Sequence, residues 1–194
     1  AAGFQGFPLA EPFNRALDPE AGWQLETGAT WQDGPWQASL TVFALWLEDE
    51  IVFDASENLN VNLPPTRRLG VSPALTYGRD RWGLSVRGTL VDARFTGGEL
   101  NVVDGGIEER VSVDGNRVPL VPTFAGVVTG WIQPVGRLRV SVDVTYQSSM
   151  VRGGDFDARQ SEVDDVALLG LRAEWPATDE LFLYARMSNV FDEG

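Results

Sequence analysis

The chain has 194 residues, 28 Asp and Glu against 15 Lys and Arg, a formal charge of −13, and neither His nor Cys. The two missing residue types exclude a Ser-His-Asp triad, a thiol nucleophile, a disulfide framework and the nitrogen and sulfur ligands preferred by zinc and copper, so only oxygen-built cation sites stay open. The acidic excess opposes binding to a phosphate backbone and sets nucleic acid aside as a partner, while 43% apolar residues place the chain far from disordered segments.

Residues 1–20 read as a loop rich in Gly, Pro and Phe, and are not composed as a charged and apolar leader. No run reaches the roughly 18 apolar residues of a membrane-spanning helix. From residue 21 to residue 191 the pattern changes: apolar side chains recur at every second position, the period of a strand with one greasy face. The series run in chain order through Trp23, Leu25, Thr27, Ala29 and Trp31, then Trp36, Ala38, Leu40, Val42, Ala44 and Trp46. They continue through Leu69, Val71, Pro73, Leu75 and Tyr77, and through Trp82, Leu84, Val86, Gly88 and Leu90. Ala125, Val127, Thr129 and Trp131 come next, followed by Leu138, Val140, Val142, Val144 and Tyr146. Ala167, Leu169, Leu171, Ala173 and Trp175 precede a last segment from Leu181 to Phe191. The reading is all-β, with about eight antiparallel strands in a single domain.

Connections alternate between short and long. Gln32 to Pro35, Gly78 to Arg81, Gln133 to Gly136 and Pro176 to Asp179 are composed as tight turns. Segments 54–65, 97–117 and 151–164 are long, polar and mostly acidic. Short turns at one end and long loops at the other describe an up-and-down transmembrane β-barrel segment.

Aromatic placement supports that reading, because a membrane barrel concentrates aromatic rings where hydrocarbon meets headgroups. Trp31, Trp36, Tyr77, Trp82, Trp131 and Trp175 flank short turns, and Trp23, Trp46 and Tyr146 stand at the opposite strand ends. All nine are expected on the apolar face as a membrane girdle. Trp23 and Trp31 are eight residues apart, which at about 3.3 Å per residue and about 40° of tilt gives roughly 20 Å along the membrane normal.

The alternate face carries Glu26, Arg68, Arg87, Arg139, Asp143, Arg172 and Glu174, as a wet lumen requires. Of these, Arg68, Arg87, Arg139, Asp143 and Arg172 are the candidate ligand-binding residues; pairing among themselves is the competing reading. Acidic residues cluster in the long loops, with Glu48, Asp49, Glu50, Asp54 and Glu57 around one and Glu99, Asp104, Glu108, Glu109 and Asp114 in the next. They read as a solvated rim that meets lipopolysaccharide through bridging cations, or as a divalent-cation site or a means of selection against anionic ligands. Asp104-Gly105-Gly106 lacks the ligand spacing of a calcium loop. Asp164 and Asp165 are adjacent, so on a strand they point to opposite faces and make no catalytic carboxylate pair. No catalytic residue, metal ligand set or cofactor is expected.

Gly3-Phe4-Gln5-Gly6-Phe7-Pro8 through Glu11-Pro12-Phe13 is similar to a Gly-Phe-Arg-x-Pro loop, with Gln5 in place of Arg, found in the carboxyl-terminal part of TonB-dependent outer-membrane receptors, a family that several further segments resemble. Leu17-Asp18-Pro19-Glu20 ahead of Leu25-Glu26-Thr27-Gly28, Phe43 with Glu48 to Val52, and Arg68-Leu69-Gly70-Val71 resemble successive strands, with Ser72 where Glu is common. Arg117 to Pro122, Leu181 to Tyr184 and Ser188 to Asp192 resemble the family's Pro-x-x-Pro and Asn-Leu-Phe-Asp segments.

That resemblance implies short periplasmic turns, long extracellular loops, and residence in the outer membrane of a Gram-negative bacterium. It implies TonB-energised uptake of a scarce, bulky nutrient such as a ferric siderophore, cobalamin or an oligosaccharide. The implied partners are the energy-transducing protein TonB, a plug domain of the same full-length chain, the nutrient, and outer-membrane lipid and lipopolysaccharide. The plug and the last strand are expected outside residues 1–194. Two other readings of the residues stay open at this point: a small complete eight-stranded outer-membrane barrel acting as adhesin, anchor or narrow pore, and a soluble β-sandwich that binds carbohydrate.

Overall fold

The computed structural model describes residues 17–54, 59–104 and 107–191; residues 1–16 of the loop expected over 1–20 and the acidic Glu57 lie outside them. Twelve strands follow in chain order: β1 (Ala21–Asp33), β2 (Trp36–Glu48), β3 (Ile51–Asp54), β4 (Leu59–Asn62), β5 (Thr66–Arg79), β6 (Trp82–Phe95), β7 (Glu99–Asp104), β8 (Ile107–Ser112), β9 (Phe124–Val135), β10 (Leu138–Gln147), β11 (Val166–Pro176) and β12 (Phe182–Met187). Eight of them form one antiparallel sheet in the order β1-β2-β5-β6-β9-β10-β11-β12, an up-and-down meander with no crossover. The remaining four form two separate hairpins: β3-β4, which runs from Ile51 into the segment 54–65, and β7-β8, inside the segment 97–117, both segments having read as plain loops.

Tight turns set the register of the long strands. Asp33 pairs with Trp36 and Val135 with Leu138, leaving two-residue connections. The first residue of each is a glycine at positive φ, Gly34 at 52° and Gly136 at 51°, the conformation in which a two-residue hairpin matches the twist of its strands.

Apart from one shift between Leu138 and Val140, the register between β9 and β10 is regular. The pairing places Trp23, Trp46, Trp36, Tyr77, Trp82, Tyr146 and Trp175 on one face. Trp131 is the exception. It pairs with Gly83 and Ser141, which puts it on the polar face beside Arg139. Strand β9 is apolar at both parities, so its period-two pattern reads equally well either way, and a one-residue change of parity inverts every side chain. Phe124, Val128 and Ile132, paired with Leu90, Val86 and Trp82, are the residues that join the apolar face.

Among the described residues no apolar core lies behind the middle of the sheet. The buried cluster sits at the long-loop end, where Leu63, Ala93, Phe95, Val113, Val118 and Phe156 pack together. Phe95 is 1% exposed and meets the Phe156 ring edge-on at 6.3 Å between centroids; burial of such a ring is worth about 1.5–3 kcal/mol. Asn62 ties the segment ahead of β1 to the β2-β3 connection: its amide nitrogen donates to the carbonyls of Asp18 and Asp49, and its amide oxygen accepts from the Asp18 N–H. Buried Asp155 accepts from the backbone N–H groups of Arg159 and Gln160, holding the 152–160 turn against the cluster.

Candidate functional site

The sheet offers two unlike faces, and each points to a different surrounding. On the apolar face, Trp31 is 54% exposed, Trp82 48% and Val42 48%, far more large apolar surface than an isolated face in water normally shows. Rings bound this face at both ends. Trp36, Tyr77 and Trp82 form a continuous row at the short-turn end, with centroids 4.6 and 4.7 Å apart. Trp23 and Trp46 stack at 3.9 Å at the long-loop end, and Phe124 lies 6.0 Å from Tyr146. Between Trp36 and Trp46 run Ala38, Leu40, Val42 and Ala44. That distance along one tilted strand is about 25 Å on the membrane normal, the height of the apolar band of a membrane barrel.

The opposite face is lined mostly by small hydroxyl side chains. Ser72 and Thr89 hydroxyls lie 3.0 Å apart across β5 and β6, and those of Thr76 and Ser85 3.3 Å. Around them a shallow concavity of about 510 Å³ is lined by Ser39, Thr41, Ser72, Thr89 and Arg87. Arg87 is exposed there and makes no hydrogen bond or ion pair with a described residue.

The five candidate ligand residues all occupy this face, but the structure does not gather them. Arg68 stands at the long-loop end, where its guanidinium donates to both carboxylate oxygens of Glu50 at 2.9 and 2.6 Å. Arg87 lies six residues further along the sheet and Arg139 six residues further again, so the column runs about 40 Å along the strands. At the short-turn end Arg172 is bonded to Glu174, and the Arg139 guanidinium lies 4.1 Å over the Trp131 ring. Gly83 makes room for that ring, since a side chain there collides with the indole. Asp143 lies across from Gly170, its carboxylate filling the space that the missing side chain leaves.

Sequence reasoning missed the cleft between loops. A cavity of about 480 Å³ opens at the long-loop end beside the Glu50–Arg68 pair, walled by Val52, Leu63, Leu120 and Phe156. Its residues come from β3, β5 and four separate connections, so no local pattern signals it. The acidic rim is partly neutralised by pairs, Glu99 with Arg110 at 2.7 Å and Glu109 with Arg159 at 3.1 Å. Among the described residues no three Asp or Glu side chains converge as a metal-binding group.

The sequence matches the family model described as TonB dependent receptor-like, beta-barrel, over residues 2–190. A search of curated proteins finds no match. Among solved structures, the fold is similar to the siderophore receptor PiuA from Acinetobacter baumannii, with a TM-score of 0.71 and 21% identity over 95% of this chain and 26% of that one. The ferric yersiniabactin uptake receptor FyuA from Yersinia pestis gives a TM-score of 0.67 and 19% identity over 90% of this chain and 25% of that one. The copper transporter OprC gives 0.70 and 15% over 92% and 26%. This chain therefore spans about a quarter of the length of these structures, and at such identities the likeness is one of fold.

Proposed function

The chain belongs to the TonB-dependent receptor β-barrel family, and from that premise we propose that it forms one wall of a receptor importing a scarce, bulky nutrient. The family is one of transporters in the outer membrane of Gram-negative bacteria, not of enzymes. The observation that carries the proposal is the two-faced sheet, greasy and ringed by aromatics on one side, small and hydroxyl-rich on the other. Lipid and lipopolysaccharide cover the first face; the second lines the route of the nutrient and contacts the plug contributed by the same full-length polypeptide.

A ferric siderophore is the cargo best supported, because PiuA is named a siderophore receptor and FyuA a ferric yersiniabactin uptake receptor. OprC, named as a copper transporter, marks how little the fold itself constrains cargo. In this reading the apolar cleft beside Glu50 and Arg68 takes the first contact at the mouth, and Arg87, with no partner on the wall, contacts either the cargo or the plug. Arg139, Asp143 and Arg172 act further along the same column. Movement is driven by TonB on the plug, so the wall itself carries no bond-breaking chemistry.

The test is uptake of radiolabelled ferric siderophores by cells producing the full-length receptor, with and without TonB. Transport that requires TonB and falls several-fold in Arg87→Ala supports the reading. Accumulation independent of TonB contradicts it.

A further inference from the structure

The cleft at the long-loop end holds a side chain whose conformation packing does not explain. Leu120 adopts a φ of 60°, a left-handed conformation that crowds the Cβ of a large side chain and is rare outside Gly, Asn and Asp. Local contacts hold it there. Pro119 precedes it and Pro122 follows two residues later, and the Leu120 N–H donates to the Val151 carbonyl at 2.9 Å. Gly153 approaches the Leu120 side chain so closely that an added Cβ would lie 3.3 Å from it. Yet the Leu120 side chain is 60% exposed, and Phe53 is 59% exposed; both line the cavity of about 480 Å³. Backbone strain spent on presenting an apolar side chain to a cavity points to a ligand there.

Charge narrows what that ligand can be. Glu50 and Arg68 are the charged residues among those described that line the cavity, and they answer each other at 2.9 and 2.6 Å. No cation inside the cleft is left over to meet an anion. Around it the balance is negative: segments 48–53 and 152–157, which supply two of its walls, carry five carboxylates against the one guanidinium of Arg152, and segment 118–121 carries no charge. A polyanion brought here meets like charges in a partly dehydrated site, where repulsion is strong. The charge of a metal complex follows from its donor atoms. Iron(III) held by three hydroxamate anions is neutral, whereas held by three catecholate dianions it carries three negative charges. A cavity of this volume takes a compact molecule or one arm of a larger one.

We propose that the cleft selects ferric complexes with no net negative charge, of the trihydroxamate kind, and seats an apolar arm of the chelator against Leu120 and Phe53. This rests on the reading of the chain as a wall of a ferric-siderophore receptor and adds to it the class of chelator. Leu120 is then a specificity residue for that arm, and Glu50 keeps Arg68 from attracting anions.

The experiment uses the full-length receptor and two probes of similar size, a ferric trihydroxamate with apolar arms and a ferric tricatecholate. Binding is read from quenching of tryptophan fluorescence in detergent, and uptake from cells with and without TonB. Wild type is expected to bind the neutral complex about tenfold or more tightly than the trianion. Leu120→Gly keeps a residue at ease with positive φ while removing the apolar contact. Its thermal transition is expected to stay level or rise, and its affinity for the trihydroxamate to fall about tenfold. Glu50→Gln frees Arg68 and is expected to narrow the preference between the probes about tenfold. Wild type that binds the tricatecholate as tightly, or binds neither probe, overturns the proposal. So does unchanged affinity in Leu120→Gly or unchanged preference in Glu50→Gln. TonB-dependent uptake of the tricatecholate alone removes only the choice of chelator, whereas accumulation of both probes without TonB sinks the import reading beneath it.

Discussion

Placing an arginine at Val42 tests the assignment of faces through its energetic consequence. Val42 is on the apolar face, six residues from Trp36 and four from Trp46. At about 3.3 Å per residue and about 40° of tilt it lies roughly 10 Å inside the nearer girdle, close to the middle of the apolar band. A cation at that depth costs about 2–4 kcal/mol, a factor of about 30 to 1,000 in the folding equilibrium. Its sequence neighbour Thr41 faces the hydroxyl-lined side and pairs with Ser72. Thr41→Arg is therefore expected to cost about 1 kcal/mol or less, as at a wet wall. The assay is denaturant-dependent folding of the full-length receptor into lipid vesicles, each variant against wild type. Equal losses for the two variants, or a larger loss for Thr41→Arg, refute the assignment of faces.

Three further outcomes follow from the same geometry. Trp131 fluorescence, isolated in a variant whose other indoles are replaced by Phe, is expected to escape quenching by brominated acyl chains, whereas a protein retaining only Trp82 is quenched; quenching of Trp131 contradicts its place beside Arg139. Phe95→Ala empties the centre of the long-loop cluster and is expected to cost that region about 3–5 kcal/mol. Its signature is faster proteolysis within 148–165 with the long strands intact, and an unchanged cleavage rate contradicts the packing. The isolated chain presents β1 and β12 as the ends of its strand order, and unpaired edges template association. In plain buffer it is expected to aggregate, and a folded monomer there sinks that expectation.

The eight strands of the large sheet and most of the face assignments were legible because a membrane wall enforces period two over long stretches, as in β2 from Trp36 to Trp46. Strand β9 was not, because Ala125, Val127 and Trp131 alternate with Phe124, Val128 and Ile132, and only pairing with β6 decides between them. The hairpins β3-β4 and β7-β8 escaped notice for a different reason. Runs such as Ile51-Val52-Phe53 and Leu100-Asn101-Val102 are short, and acidic neighbours mask their alternation. The polar-face charges were found in composition, yet their spread along the wall was not, since spacing in sequence says nothing of distance between strands. Three arginines are the extreme case: Arg67, Arg94 and Arg117 are separated by 27 and 23 positions in the chain, and only the register brings them side by side.

The most direct test of the two-faced wall is single-cysteine scanning of β2 from Trp36 to Trp46 in the membrane-embedded full-length receptor. This segment contains no native cysteine to remove. With a spin label at each position, collision with oxygen in the lipid should rise at Ala38, Leu40, Val42 and Ala44, and collision with a water-soluble nickel chelate at Gln37, Ser39 and Thr41. A profile without that two-residue period, or one with the two sets exchanged, contradicts the account.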